Sequence, residues 1–266
     1  IGRLKNLQYL SLYNNLLTSS IPAQIGNLTA LTSISLQMNS LTSSIPKEIG
    51  KLQKLTALQL YRNKLSSSIP AEIGELSALV YLLMQDNQLT SSIPSEIGKL
   101  NKTLQYIQLG ANKLSSSIPK EVCRLTAMRR LNLDNNRLTG SIPREIGELT
   151  ALNFVTLHVN KLTSSIPSGL GNLPYIYVLS LYGNRLSSSI PSELQQCTFL
   201  HYLDLHDNKL TSSIPKGLGL LSSLIYLQLG SNYLTGTIPP EFGELSTLNN
   251  LGLQHNQLTS SLPPQF

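Results

Sequence analysis

Apolar and polar residues follow a pattern that recurs along the whole chain. In the stretch LTSISLQMNSLTSSIPKEIGKL, from Leu31 to Leu52, the residues Ile34 and Leu36 alternate with polar neighbours. This alternation predicts a short strand with one buried face. An asparagine holds the same position in each copy, at Asn15, Asn39, Asn63, Asn87, Asn112, Asn136, Asn160, Asn184, Asn208, Asn232 and Asn256. The copies are 24 residues apart, with one step of 25, so the sequence predicts a solenoid of eleven repeats.

The other positions of a repeat have physical roles in such a coil. An inward Asn39 can bond backbone groups that a turn leaves unpaired, so stacked copies would form a ladder. Leu41 and Ile45 supply the core on the return path, and Pro46 turns the chain away from the sheet. Gly50 permits the bend into the next repeat. One repeat cannot bury its apolar side alone, whereas stacked repeats share one core.

The repeat resembles the plant-type leucine-rich repeat, whose template reads LxxLxxLxLxxNxLTGxIPxxIGxL. The resemblance implies an α/β solenoid, a curved right-handed coil with a parallel sheet on its concave face and irregular or 3-10 segments on its convex side. Such repeats occur in ectodomains of receptor-like kinases and receptor-like proteins, and in polygalacturonase-inhibiting proteins. The glycine of LTGxIP is kept only at Gly140 and Gly236, and elsewhere a serine such as Ser43 replaces it. This departure predicts that the position does not need a positive φ.

The repeat covers the whole chain, so we expect residues 1–266 to form a single leucine-rich repeat domain. Both ends fall inside repeats, and no capping segment is present. We therefore expect that flanking segments of a larger protein are missing, and that the uncapped ends could stack end to end. The sequence contains no run of 18 apolar residues, so no membrane span is predicted, and no signal peptide is visible. The resemblance implies an extracellular or cell-surface location.

The step of 25 residues places one extra residue in the segment from Leu100 to Leu104. We expect it to form a bulge in the loop that enters the fifth strand. The same segment contains an N-x-Thr sequon at Asn101, and a second sequon lies at Asn27. Both asparagines are therefore candidate N-glycosylation sites.

Charge and cysteine content exclude several classes of function. The net charge of +6 is modest for 266 residues, and no RRM, KH or zinc motif appears, so nucleic-acid binding is not predicted. Cys123 and Cys197 lie about three repeats apart, or roughly 14 Å along the stack. A disulfide needs Cα atoms within about 7 Å, so both are predicted to be free thiols. No spacing suggests a metal or another cofactor.

Bulky side chains concentrate at three outward strand positions per repeat, which hold eight of the eleven tyrosines. Tyr and Arg are the anchors that binding surfaces favour. The sequence thus predicts a ligand-binding face across repeats four to ten, formed by Tyr81, Tyr106, Arg130, Asp134, Phe154, His158, Tyr182, Tyr202, Asp204, His206 and Tyr226. The alternative is an aromatic ladder that only supports neighbouring strands.

We therefore expect a non-catalytic recognition module that binds a peptide, a glycan or a protein partner. Parallel strands would fix its side chains before the ligand docks. Ser180, Asp204 and His206 share the predicted face, but an open sheet offers no oxyanion donor beside the serine. His158 and His206 would lie roughly 10 Å apart, which is too far to share a metal ion.

A hydroxyl-rich flank provides an alternative function. In LTSSI, alternation places Thr42 and Ser44 outward and Ser43 inward, so stacked repeats would form two outward columns of hydroxyl groups. Such columns resemble the faces of ice-binding solenoids, and some plant antifreeze proteins are leucine-rich repeats. A purely structural repeat scaffold is the remaining alternative.

Overall fold

The structure, a computed structural model, describes residues 1–259 and 261–265. The chain divides into two compact units, Ile1–Leu138 and Thr139–Phe266, which we call the N-terminal and C-terminal units. Each unit is a stack of repeats, and most repeats contribute one three-residue strand and one 3-10 helix. A single domain over residues 1–266 stays a prediction.

The three-residue strands of each unit form a parallel main sheet. Neighbouring strands within a unit pair in register, so equivalent residues of successive repeats lie side by side. The N-terminal unit contributes, in order, Tyr9–Ser11, Ser33–Ser35, Ala57–Gln59, Tyr81–Leu83, Tyr106–Gln108 and Arg130–Asn132. The C-terminal unit contributes Phe154–Thr156, Val178–Ser180, Tyr202–Asp204, Tyr226–Gln228 and Asn250–Gly252. The predicted repeat fold with parallel strands is confirmed.

Short 3-10 helices form the other side of each repeat. Pro46 has φ −68° and immediately precedes the helix Lys47–Lys51, and a proline precedes every other described helix too. The remaining helices are Ala23–Asn27, Ala71–Glu75, Ser95–Leu100 and Lys120–Arg124 in the first unit, and Arg144–Glu148, Ser168–Asn172, Ser192–Gln196, Lys216–Leu220 and Pro240–Glu244 in the second. The longest of these helices has six residues, and none within residues 1–259 and 261–265 is long and apolar enough to cross a membrane.

Two-stranded parallel pairs lie after the main strands. Ser66–Ser68 pairs with Gln88–Thr90 in the N-terminal unit. In the C-terminal unit the pairs are Thr139–Gly140 with Lys161–Leu162, Ser187–Ser188 with Lys209–Leu210, and Thr235–Gly236 with Gln257–Leu258. These strands carry the hydroxyl-rich flank.

Leucine and isoleucine fill the space between the sheet and the helices. Leu55, Leu58, Leu60 and Ile73 have no measurable exposed surface. Burying one such side chain stabilises the fold by about 1.5 to 3 kcal/mol. Cys123 and Cys197 are buried thiols in this core, as predicted.

The predicted asparagine ladder is confirmed. The Oδ1 atom of Asn63 accepts a hydrogen bond at 3.0 Å from the amide of Leu41, a residue of the preceding repeat. Its Nδ2 atom donates to the carbonyl oxygens of Leu36 and Leu60, each at 3.0 Å. One side chain therefore satisfies backbone groups of two repeats, which ties neighbouring repeats together.

The prediction that the LTGxIP glycine position does not need a positive φ where serine replaces glycine is wrong. Ser43 has φ +66°, and Gly140 and Gly236 at the same position have +73° and +78°. The same left-handed conformation holds at Ser19, Ser67, Ser91, Ser116, Ser164, Ser188 and Ser212. A non-glycine residue in this region costs on the order of 1 kcal/mol. The fold therefore imposes the backbone conformation even where the residue disfavours it.

The glycine near the end of most 3-10 helices has a different role from the one predicted. Gly50 is not among the residues with positive φ, so the bend does not need left-handed backbone. A Cβ at Gly50 would lie 2.6 Å from the carbonyl oxygen of Glu72 in the next repeat. Glycine fits at Gly50 because two backbones approach closely there, whereas Cys123 and Gln195 hold the same position in two other repeats.

The extra residue lies in the predicted segment. The helix Ser95–Leu100 has six residues instead of five, and Asn101 follows it with φ −58° and ψ −28°. The amides of Thr103 and Leu104 donate to the carbonyl oxygen of Leu100 at 3.2 and 3.1 Å. The following strand still pairs in register with its neighbour, so the helix end absorbs the insertion.

Candidate functional site

The side of each main sheet that faces away from the core, called the open face, carries the predicted binding residues. In the N-terminal unit one row of this face runs through Tyr9, Ser33, Ala57, Tyr81, Tyr106 and Arg130. The rings of Tyr81 and Tyr106 stack with 4.8 Å between centroids and 11° between planes. Tyr81 is 42% exposed, and Tyr106 and Arg130 are half-buried. The row therefore offers aromatic surface to a ligand.

Asp134 lies two residues beyond the last strand of this unit and is half-buried. Its Oδ2 atom accepts a hydrogen bond from Asn135 Nδ2 at 2.7 Å. A Cβ at Gly110 would lie 2.8 Å from Asp134 Oδ1, so the absence of a side chain at Gly110 makes room for this carboxylate. The aspartate is held in place before any ligand arrives.

The open face of the C-terminal unit has an equivalent row through Phe154, Val178, Tyr202, Tyr226 and Asn250. The rings of Tyr202 and Tyr226 stack at 4.2 Å and 3°. Burial raises the pKa of Tyr202, and its hydrogen bonds and charged neighbours add to the shift. Its hydroxyl group donates to Asp204 Oδ2 at 3.2 Å.

Three rings of the C-terminal unit form a second stack, which we call the His–Tyr–His stack. Tyr182 lies between His158, at 4.4 Å and 10°, and His206, at 4.5 Å and 9°. The Oγ atom of Ser180 is 3.2 Å from His158 Nδ1. The stack is therefore a continuous row of rings across three repeats, each ring two residues beyond a main strand.

Asp204 lies on the predicted face but does not offer its carboxylate to a ligand. It is 1% exposed, because Tyr202 and His206 cover it. Its Oδ1 atom accepts hydrogen bonds from His206 Nδ1 at 2.6 Å and from the His206 amide at 3.3 Å. Asp204 therefore holds His206 in position, and its own role as a ligand-binding residue stays a prediction.

The serine, histidine and aspartate of this face do not form one catalytic relay. Ser180 contacts His158, whereas Asp204 contacts His206, so the nucleophile and the carboxylate serve different imidazoles. Among the residues that the structure describes, no group of three or more His, Cys, Asp and Glu side chains could hold a metal ion.

The sequence reading missed four aromatic residues at the edge of the C-terminal sheet. Tyr177 stacks on His201 at 4.2 Å and lies 5.7 Å from the ring of Phe154. Tyr175 and Phe199 form a neighbouring pair at 6.2 Å and are 60% and 55% exposed. The strand alternation does not apply here because these residues precede the three-residue strands. The signal was present as aromatic residues at equivalent repeat positions.

The hydroxyl-rich flank is wider than predicted. Ser43 is exposed, not inward, because the left-handed backbone breaks the strand alternation. In the N-terminal unit, three adjacent positions of five repeats are all serine or threonine: 18–20, 42–44, 66–68, 90–92 and 115–117. No charged residue interrupts these triplets.

Both predicted glycosylation sites lie at the surface of the N-terminal unit. Asn27 and Asn101 are exposed, and each lies at the end of a 3-10 helix. Glycosylation of either residue stays a prediction.

Two family models described as the leucine rich repeat match this chain. One matches residues 200–258, and the other matches residues 6–28, 30–52, 78–100, 127–149 and 175–197. A search of curated proteins gave no match.

Solved structures similar to this chain include two receptors. The plant peptide hormone receptor RGFR1 in complex with RGF2 is 39% identical, with a TM-score of 0.98 over 99% of this chain and 42% of that chain. A TDR receptor is 32% identical, with a TM-score of 0.97 over 100% of this chain and 46% of that chain. This chain therefore spans less than half the length of either receptor chain.

A plant ice-binding protein is also similar in structure. It is 27% identical, with a TM-score of 0.78 over 95% of this chain and 84% of that chain.

Proposed function

Because this chain belongs to the leucine-rich repeat family, we propose that it is a binding module like a receptor ectodomain and holds an extended peptide. The open faces of its main sheets provide the contact surface. The observation that carries this proposal is the pair of stacked tyrosines in each unit, Tyr81 with Tyr106 and Tyr202 with Tyr226. The likeness to a peptide hormone receptor in complex with RGF2 supports it.

The geometry of the stacked rings favours binding. Each ring is already held by its neighbour, so a ligand does not have to order it on docking. Tyrosine also supplies both apolar area and a hydroxyl group, which is why it is frequent among the residues that dominate binding energy. An extended peptide can run across the strands and contact one row after another.

The proposal also includes the absence of catalysis and a location outside the cell or at its surface. The module has no catalytic role, and the Ser180 and Asp204 contacts order the binding face instead of activating a nucleophile. By its likeness to receptor ectodomains, it acts outside the cell or at the cell surface.

A displayed library of random dodecapeptides, selected on the immobilised protein at pH 7.5, tests the proposal. The affinity of the strongest selected peptide is then measured by calorimetry for the native protein and for a Tyr81→Ala, Tyr106→Ala double variant. Tyr233→Ala is the control, because Tyr233 is 51% exposed and lies outside the main sheets. The open-face variant should bind at least 10-fold more weakly. Selection of no peptide, or equal affinity in the two variants, would contradict the proposal.

Ice binding is the second candidate function. It is favoured by the uncharged hydroxyl triplets of the N-terminal unit and by the likeness to a plant ice-binding protein. A regular array of hydroxyl groups can donate and accept hydrogen bonds as water does. Thermal hysteresis of the purified protein measures this activity. A Ser68→Tyr variant, which places a bulky ring within the array, should then lose most of the hysteresis, whereas zero hysteresis in the native protein ends this candidate.

A further inference from the structure

We propose that the His–Tyr–His stack is a proton-linked subsite for a carboxylate group of the ligand. This inference rests on the binding function proposed above, and it specifies the chemistry of one part of that surface. It requires that the stack bind a carboxylate more tightly when its imidazole groups carry a proton.

The stacking covers ring faces in the row. Tyr182 has His158 on one face and His206 on the other, at 4.4 and 4.5 Å between centroids. Both faces of Tyr182 are therefore covered. A ligand must approach the row along the ring edges, where the nitrogen and oxygen atoms lie.

The hydrogen bonds of His206 set the polarity of its exposed edge. The carboxylate of Asp204 only accepts hydrogen bonds, so His206 Nδ1 carries the hydrogen of the 2.6 Å contact. Nε2 is the remaining ring nitrogen, and it becomes a donor when the ring is protonated. The side chain of Asp204 is 2% exposed and that of His206 is 35% exposed. The negative group is thus buried, whereas about a third of the imidazole side chain is exposed.

The other groups around His206 do not offset this polarity. Tyr202 lies on its own strand, Ser180 and Tyr182 lie on the preceding repeat, and the following repeat contributes uncharged Gln228 and Gly230. The charged residues that follow the three rings in their own repeats are Lys161, Arg185, Lys209 and Asp207, and all are exposed. Three of these four are basic, and Asp134 is the acidic residue at the equivalent position one repeat before His158. The basic residues outnumber the acidic ones beside the stack, and this balance favours an anionic group.

Imidazole side chains as a class take up a proton near pH 6.5, whereas glutamate side chains remain ionised down to about pH 4.3. Between pH 7.5 and 5.5 a glutamate peptide therefore keeps its charge while imidazoles gain theirs. By linkage, a ligand that prefers the protonated stack must raise the pH at which that stack titrates.

Nuclear magnetic resonance of the imidazole groups in the full chain tests this directly. The pH midpoints of all four histidines are measured alone, with a dodecamer of glutamate and with a dodecamer of glutamine. The glutamate peptide should raise the midpoints of His158 and His206, by about one pH unit for a 10-fold preference. His201, with Nδ1 2.7 Å from the Phe199 carbonyl oxygen, and exposed His255 are internal controls that should not move.

A second measurement separates the stack from general attraction between charges. The affinity of the glutamate dodecamer should rise at least 5-fold from pH 7.5 to 5.5 in the native protein and in a His255→Gln variant. A His158→Gln, His206→Gln double variant should lose this rise. Equal midpoint shifts at all four histidines, no shift at any, or a pH-dependent rise that survives the double variant would each overturn the proposal. Peptide selection at pH 7.5 tests the proposed function independently, because its Tyr81 and Tyr106 readout lies in the other unit.

Discussion

The side chain of Gln195 occupies the space into which a side chain on Gly217 would extend. A Cβ at Gly217 would lie 2.0 Å from Gln195 Oε1 and 2.9 Å from Gln195 Cβ. In several other repeats the two positions are filled the other way round, as with Gly50 facing Glu72, where a Cβ on the glycine would lie 2.7 Å from Glu72 Cβ. Gly147 faces a second glycine, Gly169. Only one residue of each facing pair can therefore carry a long side chain.

This relationship predicts a rescue experiment. Gly217→Glu should lower the free energy of unfolding by about 1 to 3 kcal/mol, because the new side chain overpacks against Gln195. Adding Gln195→Gly recreates the usual pair and should recover most of the loss. Urea unfolding of the single and double variants measures both effects. A double variant no more stable than Gly217→Glu would show that the two positions are independent.

The left-handed serines predict that glycine is stabilising at those positions. Ser43→Gly should raise the free energy of unfolding by about 0.5 to 1 kcal/mol, since glycine adopts φ +66° without the steric cost. Ser44→Gly is the matched control, because Ser44 is also exposed but does not have positive φ. That control should be neutral or destabilising. A loss of stability in both variants would contradict the assigned strain.

The asparagine ladder predicts a large and position-dependent cost of truncation. Asn63→Ala should destabilise the protein by about 3 kcal/mol or more, because it leaves several buried backbone groups without partners. Asn15→Ala should cost less, since Asn15 is exposed and water can replace its contacts. Thermal unfolding of both variants gives the comparison. Similar losses would mean that the buried hydrogen bonds do not set the cost.

The thiol of Cys197 should be unreactive in the folded protein. Burial raises its pKa to about 11 from 9.0, and Sγ donates to the Leu170 carbonyl oxygen at 3.4 Å. In a Cys123→Ala background, a disulfide reagent at pH 8 should label Cys197 only after denaturation. Fast labelling under native conditions would contradict the burial.

The raised pKa of the Cys197 thiol makes its contribution to the free energy of unfolding depend on pH. Above about pH 9 the unfolded thiol loses its proton, whereas the folded thiol keeps it until about pH 11. The unfolded state then binds fewer protons, so this contribution falls as pH rises through that window. The difference in free energy of unfolding between the native protein and Cys197→Ala should therefore be smaller at pH 10 than at pH 7.5.

Much of the fold could be predicted because its period fixes the register. Once Asn39 and Asn63 are recognised as equivalent, Ile34 and Leu58 must pair and face the core, and they do. The conformation of Ser43 was mispredicted because serine disfavours positive φ, and the presence of serine was taken to mean that the backbone there does not have positive φ. Packing between repeats overrides that preference.

The residues of the open face were predictable along the strands and the two residues that follow each strand. Tyr81, Tyr106, Tyr202 and Tyr226 lie where strand alternation places them. Alternation cannot indicate how deeply a side chain is covered, so the burial of Asp204 beneath Tyr202 and His206 could not be derived. Tyr177 and His201 were missed because each precedes its strand, on the side where the alternation was not followed.

The six-residue helix Ser95–Leu100 shows that a change in repeat length need not propagate along the chain. The insertion lengthens one helix by a residue, and Tyr81 and Tyr106 still lie side by side. A repeat can therefore change in length by one residue at this junction without shifting the rows of side chains on either side of it.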